Sequence, residues 1–232
     1  MQYPRSKFWI YFCLILVLVG CAASQDTAPT SAPEPAPTRT EATSILPTAS
    51  NQTANAANQT SAEEALWTKL MEADEETYVV LLRHAITPST GDPADFQLDD
   101  CSTQRNLSEA GRQQARKIGV AFRDRNVPVT TVLTSQWCRC LETAELMSIA
   151  PVELFSVLNS FFRDRSTAET QATQVKAYIA DNEASSGVIV MVTHQVNITA
   201  LSDIFPQFGS AVVVHLKDGR LDVLGQLLAD GL

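Results

Sequence analysis

From residue 77 onward the sequence alternates between short apolar runs and longer amphipathic segments. The continuous apolar runs are Tyr78–Leu82, Val129–Leu133 and Val188–Val192. Runs of this length without polar alternation are typical of strands buried on both faces. Helical patterns separate these runs, at residues 108–125, 136–147 and 167–181. The alternation predicts an α/β domain, a three-layer sandwich with a mostly parallel central sheet flanked by helices.

Shorter patterns complete the predicted domain. Residues 211–216 and 220–224 are joined by Lys217-Asp218-Gly219, and because Asp-Gly favours a tight turn they predict a C-terminal hairpin. Residues 152–155 predict a short strand and residues 195–202 a short helix. Before the first strand, residues 62–73 predict a helix with Leu66, Leu70 and Met71 on one side.

The first 20 residues have the composition of an export signal. Two basic residues, Arg5 and Lys7, precede the 12-residue apolar run Phe8–Val19, which is shorter than the roughly 20 residues that a membrane-spanning helix needs. A short uncut membrane anchor is the alternative to a secretory signal. The ending Leu18-Val19-Gly20-Cys21 resembles the bacterial lipobox, which favours cleavage and lipidation of Cys21. We therefore expect residues 1–20 to be a lipoprotein signal peptide.

Residues 24–61 consist almost entirely of Ser, Thr, Ala, Pro, Asn and Gln, with no aromatic residue. Such a segment cannot bury enough apolar surface to offset the entropy of ordering, so residues 21–61 are predicted to be a lipidated cysteine and a disordered tether. The folded domain is then residues 62–232. Ala22, where an Asp would favour retention at the inner membrane, implies an outer-membrane location facing the periplasm.

The charge and the cysteine spacing exclude several kinds of partner. The chain carries a formal net charge of −9, which argues against broad contact with nucleic acid or anionic lipid and leaves the lipid anchor as the expected membrane contact. The cysteines lack the paired CxxC spacing and histidine partners of a zinc site. We therefore expect neither a metal nor a cofactor.

Each of the three apolar runs leads into a cationic or proton-carrying side chain. Arg83 and His84 follow the first run, Arg139 follows the second at the start of a predicted helix, and His194 follows the third. In open α/β sheets, ligands bind at the carboxyl ends of the strands. Guanidinium forks match pairs of phosphate oxygens, and imidazole can attack phosphorus, so this set favours a phosphate dianion as ligand.

These residues lie in motifs that resemble those of the histidine phosphatase superfamily, which includes phosphoglycerate mutases and SixA-like phosphatases. Arg83-His84-Ala85 resembles the first motif, Arg-His-Gly, with Ala in place of Gly. The remaining matches are Leu107, Ser108, Gly111 and Ala115 for a Leu-(Ser/Thr)-x-x-Gly-x-x-x-Ala segment, Ser135, Arg139, Thr143 and Ala144 for the arginine helix, and His194 for the last motif. The resemblance covers about residues 77–227.

The resemblance implies hydrolysis of phosphomonoesters through a phosphohistidine. It implies that His84 attacks phosphorus while Arg83, Arg139 and His194 stabilise the developing charge, and that water then resolves the intermediate. The second ring nitrogen of His84 is expected to donate to a backbone carbonyl. His215 lies in no motif and is expected to be structural.

The sequence departs from the family pattern at the proton donor. Where mutase-like members have Leu-Asn-Glu, this chain has Leu158-Asn159-Ser160. Asp164 ranks first as the replacement acid, ahead of Glu169, Asp92 and Asp95. The departure leaves three functions open: an extracytoplasmic phosphomonoesterase, a non-catalytic phospho-ligand-binding lipoprotein, and a phosphohistidine phosphatase, whose substrate has a good leaving group. For the extracytoplasmic phosphomonoesterase, the expected substrate is a small-molecule or envelope phosphomonoester.

A long loop after the first strand is expected to overhang the pocket; it includes Gly91-Asp92-Pro93 and residues 101–106. Arg105 could supply a third guanidinium or lie on the surface, and Gln195 could contact phosphate or substrate. Cys138 and Cys140 diverge on their helix by about 200°. Cys101 is therefore expected to bridge to one of those two and pin the loop over the site, the alternative being three reduced thiols.

Overall fold

The computed structural model describes residues 49–74, 76–217 and 219–232, with side chains from residue 57 onward. Its helices are α1 (Ala49–Met71), α2 (Glu109–Asp124), α3 (Cys138–Met147), α4 (Ala168–Asp181) and α5 (Gln195–Ser202). Its strands are β1 (Thr77–Arg83), β2 (Val129–Thr134), β3 (Val152–Leu154), β4 (Gly187–Thr193), β5 (Ala211–Lys217) and β6 (Arg220–Leu227). The predicted signal peptide and Cys21 lie outside the described residues.

One six-stranded sheet organises the domain, in the order β3-β2-β4-β1-β5-β6. The first four strands in that order are parallel, and β5 and β6 form the antiparallel hairpin at one edge. Arg83 at the end of β1 is in register with Thr193 at the end of β4, so the residues that follow the two strands emerge side by side. The predicted three-layer α/β fold with a C-terminal hairpin is confirmed.

Both faces of the sheet are covered by helices. Val80 and Val190 belong to the core cluster shared with α1, α2 and α3, whereas Val79 and Ile189 belong to the cluster shared with α4 and α5. Successive side chains of a strand point to opposite faces. Each central strand therefore needs apolar residues at every position, which is why these strands appear as unbroken apolar runs.

Helix α1 begins at Ala49, within the segment predicted to be a disordered tether. Its polar composition gives no apolar periodicity, but alanine has the highest helix propensity, and the last turns are anchored by packing. Trp67 and Leu70 are buried, and the Trp67 ring meets Phe122 edge-on at 5.1 Å between centroids. Met71 is exposed, so its assignment to the packed side was wrong.

The β5–β6 hairpin contains the turn residue Gly219 and the remaining histidine, His215. Gly219 in the turn has φ +73°, a left-handed conformation that glycine adopts without strain. His215 lies on β5 opposite Tyr78, with its Nε2 3.8 Å from a carboxylate oxygen of Glu76. Among the described residues, no helix combines the length and the apolar character required to cross a bilayer.

Candidate active site

The carboxyl ends of three neighbouring strands form the floor of a cavity of about 230 Å³. His84 follows β1 and His194 follows β4, with ring centroids 5.6 Å apart. Arg139 lies in the first turn of α3, after β2, and only 3 % of its side chain is exposed. The structure therefore brings together Arg83, His84, Arg139 and His194, as the strand ends predict.

The ring of His84 has a defined tautomer. Its Nδ1 lies 2.9 Å from the carbonyl oxygen of Ala85, to which it can only donate. Nε2 therefore carries the lone pair, and it accepts from Nε of Arg139 at 3.2 Å. Burial, and then the positive charge of Arg139, lowers the pKa of His84 well below its ordinary value. The imidazole is thus neutral, with its basic nitrogen, Nε2, held by Arg139 at the cavity.

The chain segment after His84 is held by motif residues on two helices. The amide of Ala85 donates to Oγ1 of Thr143 at 3.1 Å, and the carbonyl of Ile86 accepts from the amide of Ser108 at 3.0 Å. A Cβ added at Gly111 would lie 2.0 Å from the carbonyl oxygen of Ile86. Glycine at this position therefore allows α2 to approach the backbone that positions the nucleophile.

Arg139 is the centre of the hydrogen-bond network in the cavity. Besides His84, it contacts Nδ1 of His194 from Nη2 at 3.3 Å. Its two terminal nitrogens also donate to the two carboxylate oxygens of Asp92, at 2.6 Å and 3.3 Å. The guanidinium of Arg139 is thus already paired with a carboxylate of the same chain, in the two-bond arrangement that it could also form with phosphate.

His194 is oriented by a chain of polar side chains. Because a guanidinium can only donate, Nδ1 of His194 accepts from Arg139, and Nε2–H donates to Oγ of Ser135 at 2.9 Å. Ser135 in turn donates to Oδ1 of Asn159 at 3.1 Å. Burial, followed by the charge of Arg139, lowers the pKa of His194 well below its ordinary value. Sequence reasoning missed the role of Asn159 as the fixed end of this chain, although it lies in the Leu-Asn-Ser segment noted above.

Two further guanidinium groups line the cavity. Arg83 donates from Nη1 to the carbonyl of Pro206 at 2.8 Å and lies 3.9 Å from the ring centroid of Phe208. Burial and the neighbouring arginines lower the pKa of Arg83 to about 10. Arg105 donates to Thr87 and to a backbone carbonyl of the overhanging loop. Burial, followed by the charge of Arg139, also lowers the pKa of Arg105. Arg105 is therefore part of the cavity wall rather than the outer surface.

The ionic groups in the cavity wall leave a net positive charge. Arg83, Arg105 and Arg139 contribute three positive charges and Asp92 one negative charge, while both histidines are neutral, which gives +2. This charge matches a phosphate dianion.

The acid expected from the sequence is not at this site. Asp164 is exposed and does not line the cavity; its carboxylate accepts from the amide and hydroxyl of Ser166, at 3.0 Å and 2.6 Å, as the cap of a short 3-10 helix. Glu169 and Asp95 are also exposed and outside the cavity wall. Among the described residues, Asp92 is the only carboxylate in that wall. Asp164, the first-ranked candidate for the acid, therefore lies away from the cavity, and Asp92 is the candidate that the structure places in its wall.

Gln195 lines the cavity, as predicted. Its Nε2 donates to Oγ1 of Thr199, one turn along α5, at 2.8 Å. An amide nitrogen has two N–H donors, so a contact with phosphate or substrate does not require that bond to break.

A disulfide joins Cys101 to Cys138, with 5.7 Å between their Cα atoms, and confirms one of the two predicted pairings. It fixes the overhanging loop to the residue that precedes Arg139. Cys140 remains free and buried, and burial raises the pKa of its thiol to about 12. This thiol is therefore neutral and a poor nucleophile.

Part of the domain matches a known protein family. Residues 79–160 match the model of the histidine phosphatase superfamily (branch 1). Over this stretch the chain is similar to the histidine phosphatase superfamily. The match includes Arg83, His84 and Arg139, whereas His194 lies beyond it and is assigned to the site by geometry alone. The sequence matches none of the curated proteins at significant similarity.

Solved structures share the fold at low identity. Bacillus stearothermophilus YhfR is 18 % identical with a TM-score of 0.50, over 64 % of this chain and 96 % of that chain. A mutant phosphoserine phosphatase from Entamoeba histolytica in complex with phosphoserine is 13 % identical with a TM-score of 0.51, over 67 % and 99 %. The protein histidine phosphatase SixA in complex with tungstate is 16 % identical with a TM-score of 0.49, over 66 % and 97 %. The family match and the cationic cavity are consistent with a phosphoric monoester hydrolase of the histidine phosphatase type.

Proposed function

We propose that this protein hydrolyses phosphomonoesters in two steps through a phosphohistidine on His84. The observation that carries the proposal is the neutral ring of His84 in the lining of a cavity of net charge +2, where the bond from Nδ1–H to the Ala85 carbonyl leaves the lone pair on Nε2. In the structure Arg139 donates to that lone pair, and the lone pair becomes available for attack when Arg139 turns to the oxygens of a bound phosphate. A phosphate dianion neutralises that charge and brings phosphorus to the nucleophile.

In the first step His84 Nε2 attacks phosphorus in line with the ester oxygen. The nitrogen–phosphorus bond forms as the phosphorus–oxygen bond breaks, and the leaving oxygen keeps the electron pair. Arg83 and Arg139 stabilise the charge on the equatorial oxygens. The phosphorylated ring becomes positive, and the bond from Nδ1–H to the Ala85 carbonyl stabilises it.

In the second step water attacks phosphorus, and the phosphorus–nitrogen bond breaks with its electron pair returning to Nε2 of His84. One proton of the water passes to the Asp92 carboxylate, and inorganic phosphate and neutral His84 are released. His194 is neutral in the structure, with an accepting Nδ1 towards Arg139. A bound dianion favours protonation at that nitrogen, which then donates to a phosphate oxygen during both steps.

Asp92 is the group best placed to protonate the leaving oxygen. The Asp92 carboxylate accepts two hydrogen bonds from the terminal nitrogens of Arg139. A substrate phosphate can also accept two bonds from a guanidinium, so it competes with Asp92 for Arg139. Once displaced, the carboxyl group of Asp92 lies beside the reacting phosphoryl group, where it can supply a proton. That proton then passes to the leaving oxygen.

A phosphoenzyme trap tests this proposal. The purified protein is mixed with an aryl phosphate labelled in the phosphoryl group and quenched during turnover, and wild type is compared with His84→Gln. Wild type should release phosphate and retain acid-labile, alkali-stable label, whereas the variant should retain none. Turnover with label on another residue, or undiminished turnover in His84→Gln, would overturn the mechanism.

A phosphohistidine phosphatase is the second candidate. Ser160 lines the cavity in the segment where mutase-like members carry the acid, and Asp92 is paired with Arg139. A phosphoramidate needs little help from an acid when its leaving nitrogen is already protonated. Hydrolysis of a phosphohistidine peptide, with none of alkyl phosphomonoesters, would favour this candidate. Phosphate binding without any turnover would favour the third, a non-catalytic phospho-ligand-binding protein.

We further propose that the protein is an extracytoplasmic lipoprotein anchored through Cys21. The lipobox-like segment at residues 18–21 supports this, as does the Cys101–Cys138 disulfide, because disulfides persist mainly in oxidising compartments. Cys21→Ser should abolish lipid labelling and membrane fractionation in a bacterial host, with Cys13→Ser as the matched control. Unchanged lipid labelling of Cys21→Ser would contradict the assignment.

A further inference from the structure

The mouth of the active-site cavity is formed by exposed aromatic side chains. Six large apolar side chains are exposed among the described residues: Met71, Val120, Leu154, Phe162, Phe205 and Val223. The two that are aromatic, Phe162 and Phe205, are 64 % and 63 % exposed, and both line this one cavity. Exposed aromatic residues gathered at one place mark a binding surface rather than chance exposure.

Packing of the fold does not explain these two side chains. Neither Phe162 nor Phe205 belongs to any of the apolar core clusters. The neighbouring Phe161 is buried and already fills the apolar position of its segment. Phe205 precedes Pro206, whose carbonyl accepts from Arg83. Phe205 therefore lies next to a residue that Arg83 holds close to the catalytic groups.

Apolar side chains line the cavity beside the cationic groups. Phe208 and Val196 join Phe162 and Phe205 in this lining. Among the described lining residues, Asp92 is the only charged group besides the three arginines, and its carboxylate is paired with Arg139. The other polar lining side chains, those of Thr90, Ser160 and Gln195, are uncharged. The charged groups are therefore those assigned to phosphate, and the four apolar side chains are left for the leaving group.

The cavity is also small. Its volume of about 230 Å³ is below the roughly 300–1,000 Å³ typical of pockets for drug-sized ligands. With phosphate on the floor, the remaining space suits a compact flat group that extends between the two exposed rings.

We propose that the substrates are phosphomonoesters whose leaving group carries an uncharged aromatic ring, held between Phe162 and Phe205 and against Phe208. This inference rests on the proposed phosphomonoesterase function and narrows its substrate class. Aromatic rings prefer offset or edge-to-face contact with other rings, which a sugar or glycerol moiety cannot make. A phenolic oxygen is also a weaker base than an alkoxide, so it leaves with less help from an acid that is paired with Arg139.

A matched pair of substrates separates ring recognition from leaving-group reactivity. Benzyl phosphate and 2-methoxyethyl phosphate both release a primary alkoxide, but only the first has a ring. For the full-length protein, kcat/KM should be about tenfold higher for benzyl phosphate, the ratio that one or two aromatic contacts account for. In Phe162→Ala/Phe205→Ala the advantage should largely disappear, through a rise in KM for benzyl phosphate. Leu154→Ala, an exposed apolar residue on β3 outside the cavity, is the control and should change neither value.

Equal kcat/KM for the two substrates in wild type, or the same loss for both in the double variant, would overturn the inference. Calorimetric titration of His84→Ala with each ester measures recognition without turnover. Tighter binding of benzyl phosphate there supports the inference even if the proposed hydrolysis fails, and equal binding overturns it. Phenyl phosphate and a phosphotyrosine peptide, both within the proposed class, then distinguish a small-molecule source from a protein source.

Discussion

Arg139 donates from both terminal nitrogens to Asp92, with Nη1–Oδ1 at 2.6 Å and Nη2–Oδ2 at 3.3 Å. The pair is largely shielded from water, with side-chain exposures of 3 % and 13 %. The same guanidinium contacts His84 and His194 through its other N–H donors. In the proposed mechanism, substrate phosphate takes the place of the Asp92 carboxylate on Arg139, and the displaced carboxylate stays beside the reacting centre.

The first prediction concerns the charge of Asp92. Asp92→Asn should tighten the binding of inorganic phosphate, because it removes the competing anion from Arg139 and raises the net charge of the cavity. The same change should lower kcat for alkyl phosphates by about 10²-fold, the smaller end of the usual range for a general acid. Aryl phosphates, whose leaving groups need less protonation, should lose much less. Calorimetry and a plot of log kcat against leaving-group pKa measure the two effects.

Asp95→Asn is the matched control, because this carboxylate is three residues away and outside the cavity wall. An unchanged kcat for alkyl phosphates in Asp92→Asn would exclude Asp92 as the proton donor.

The second prediction concerns the charge-stabilising groups. His84→Ala should abolish turnover, since it removes the nucleophile. Arg139→Ala and His194→Ala should each lower kcat/KM by roughly 10²–10³-fold, as for the loss of one preorganised electrostatic group. His215→Gln should leave turnover unchanged, because His215 lies outside the cavity wall. Circular dichroism of every variant checks that the fold persists, and near-normal activity of Arg139→Ala would contradict its assigned role.

The third prediction follows from the two buried histidines. Their pKa values are lowered in the folded state by burial and by Arg139, whereas in the unfolded chain histidine has a pKa of about 6.5. Below that pH the unfolded state binds more protons than the folded state, so the free energy of unfolding falls as the pH falls. It should be nearly independent of these two groups above about pH 6.5. Urea unfolding between about pH 5 and 7.5 measures the slope.

His84→Gln should make that slope shallower, since one of the two groups is removed. Saturating phosphate should also make it shallower, because the anion favours protonated His194. A wild-type stability that does not change between pH 7 and 5 would contradict the lowered pKa values.

Several parts of this architecture can be predicted from sequence because they depend on local patterns. The central strands need apolar residues on both faces, and Gly219 permits the hairpin turn. Ser108 caps α2 through a 3.0 Å bond from the amide of Gly111, as the sequence suggests. His84 and His194 follow parallel strands, so their proximity follows from topology.

Other parts depend on loop conformations that no local pattern encodes. Asp164 lies two residues before Ser166, as in a capping motif. Its carboxylate accepts from the Ser166 amide and so caps a short helix away from the cavity. Asp92 reaches Arg139 because its loop folds back over the cavity, where Arg163 donates to the carbonyls of Asp92 and Pro93. The aromatic mouth likewise comes from two loops that are distant in sequence. The start of α1 was missed because its first turns have no apolar side.

The last prediction concerns the disulfide between Cys101 and Cys138, which span 37 residues. In the chain-entropy model, closing a loop of this length stabilises the folded state by up to about 4 kcal/mol. Cys101→Ser/Cys138→Ser should therefore unfold at lower urea concentration than wild type. It should also be cut faster by protease within residues 88–100, because the loop that carries Asp92 loses its anchor beside Arg139. Cys101 is exposed, so a reductant should reproduce both effects in wild type and have none in the double variant. Wild type that keeps its urea midpoint and its protease resistance under full reduction would show that hydrogen bonds alone, such as that from the Cys138 amide to Gln104 at 3.0 Å, hold the loop in place.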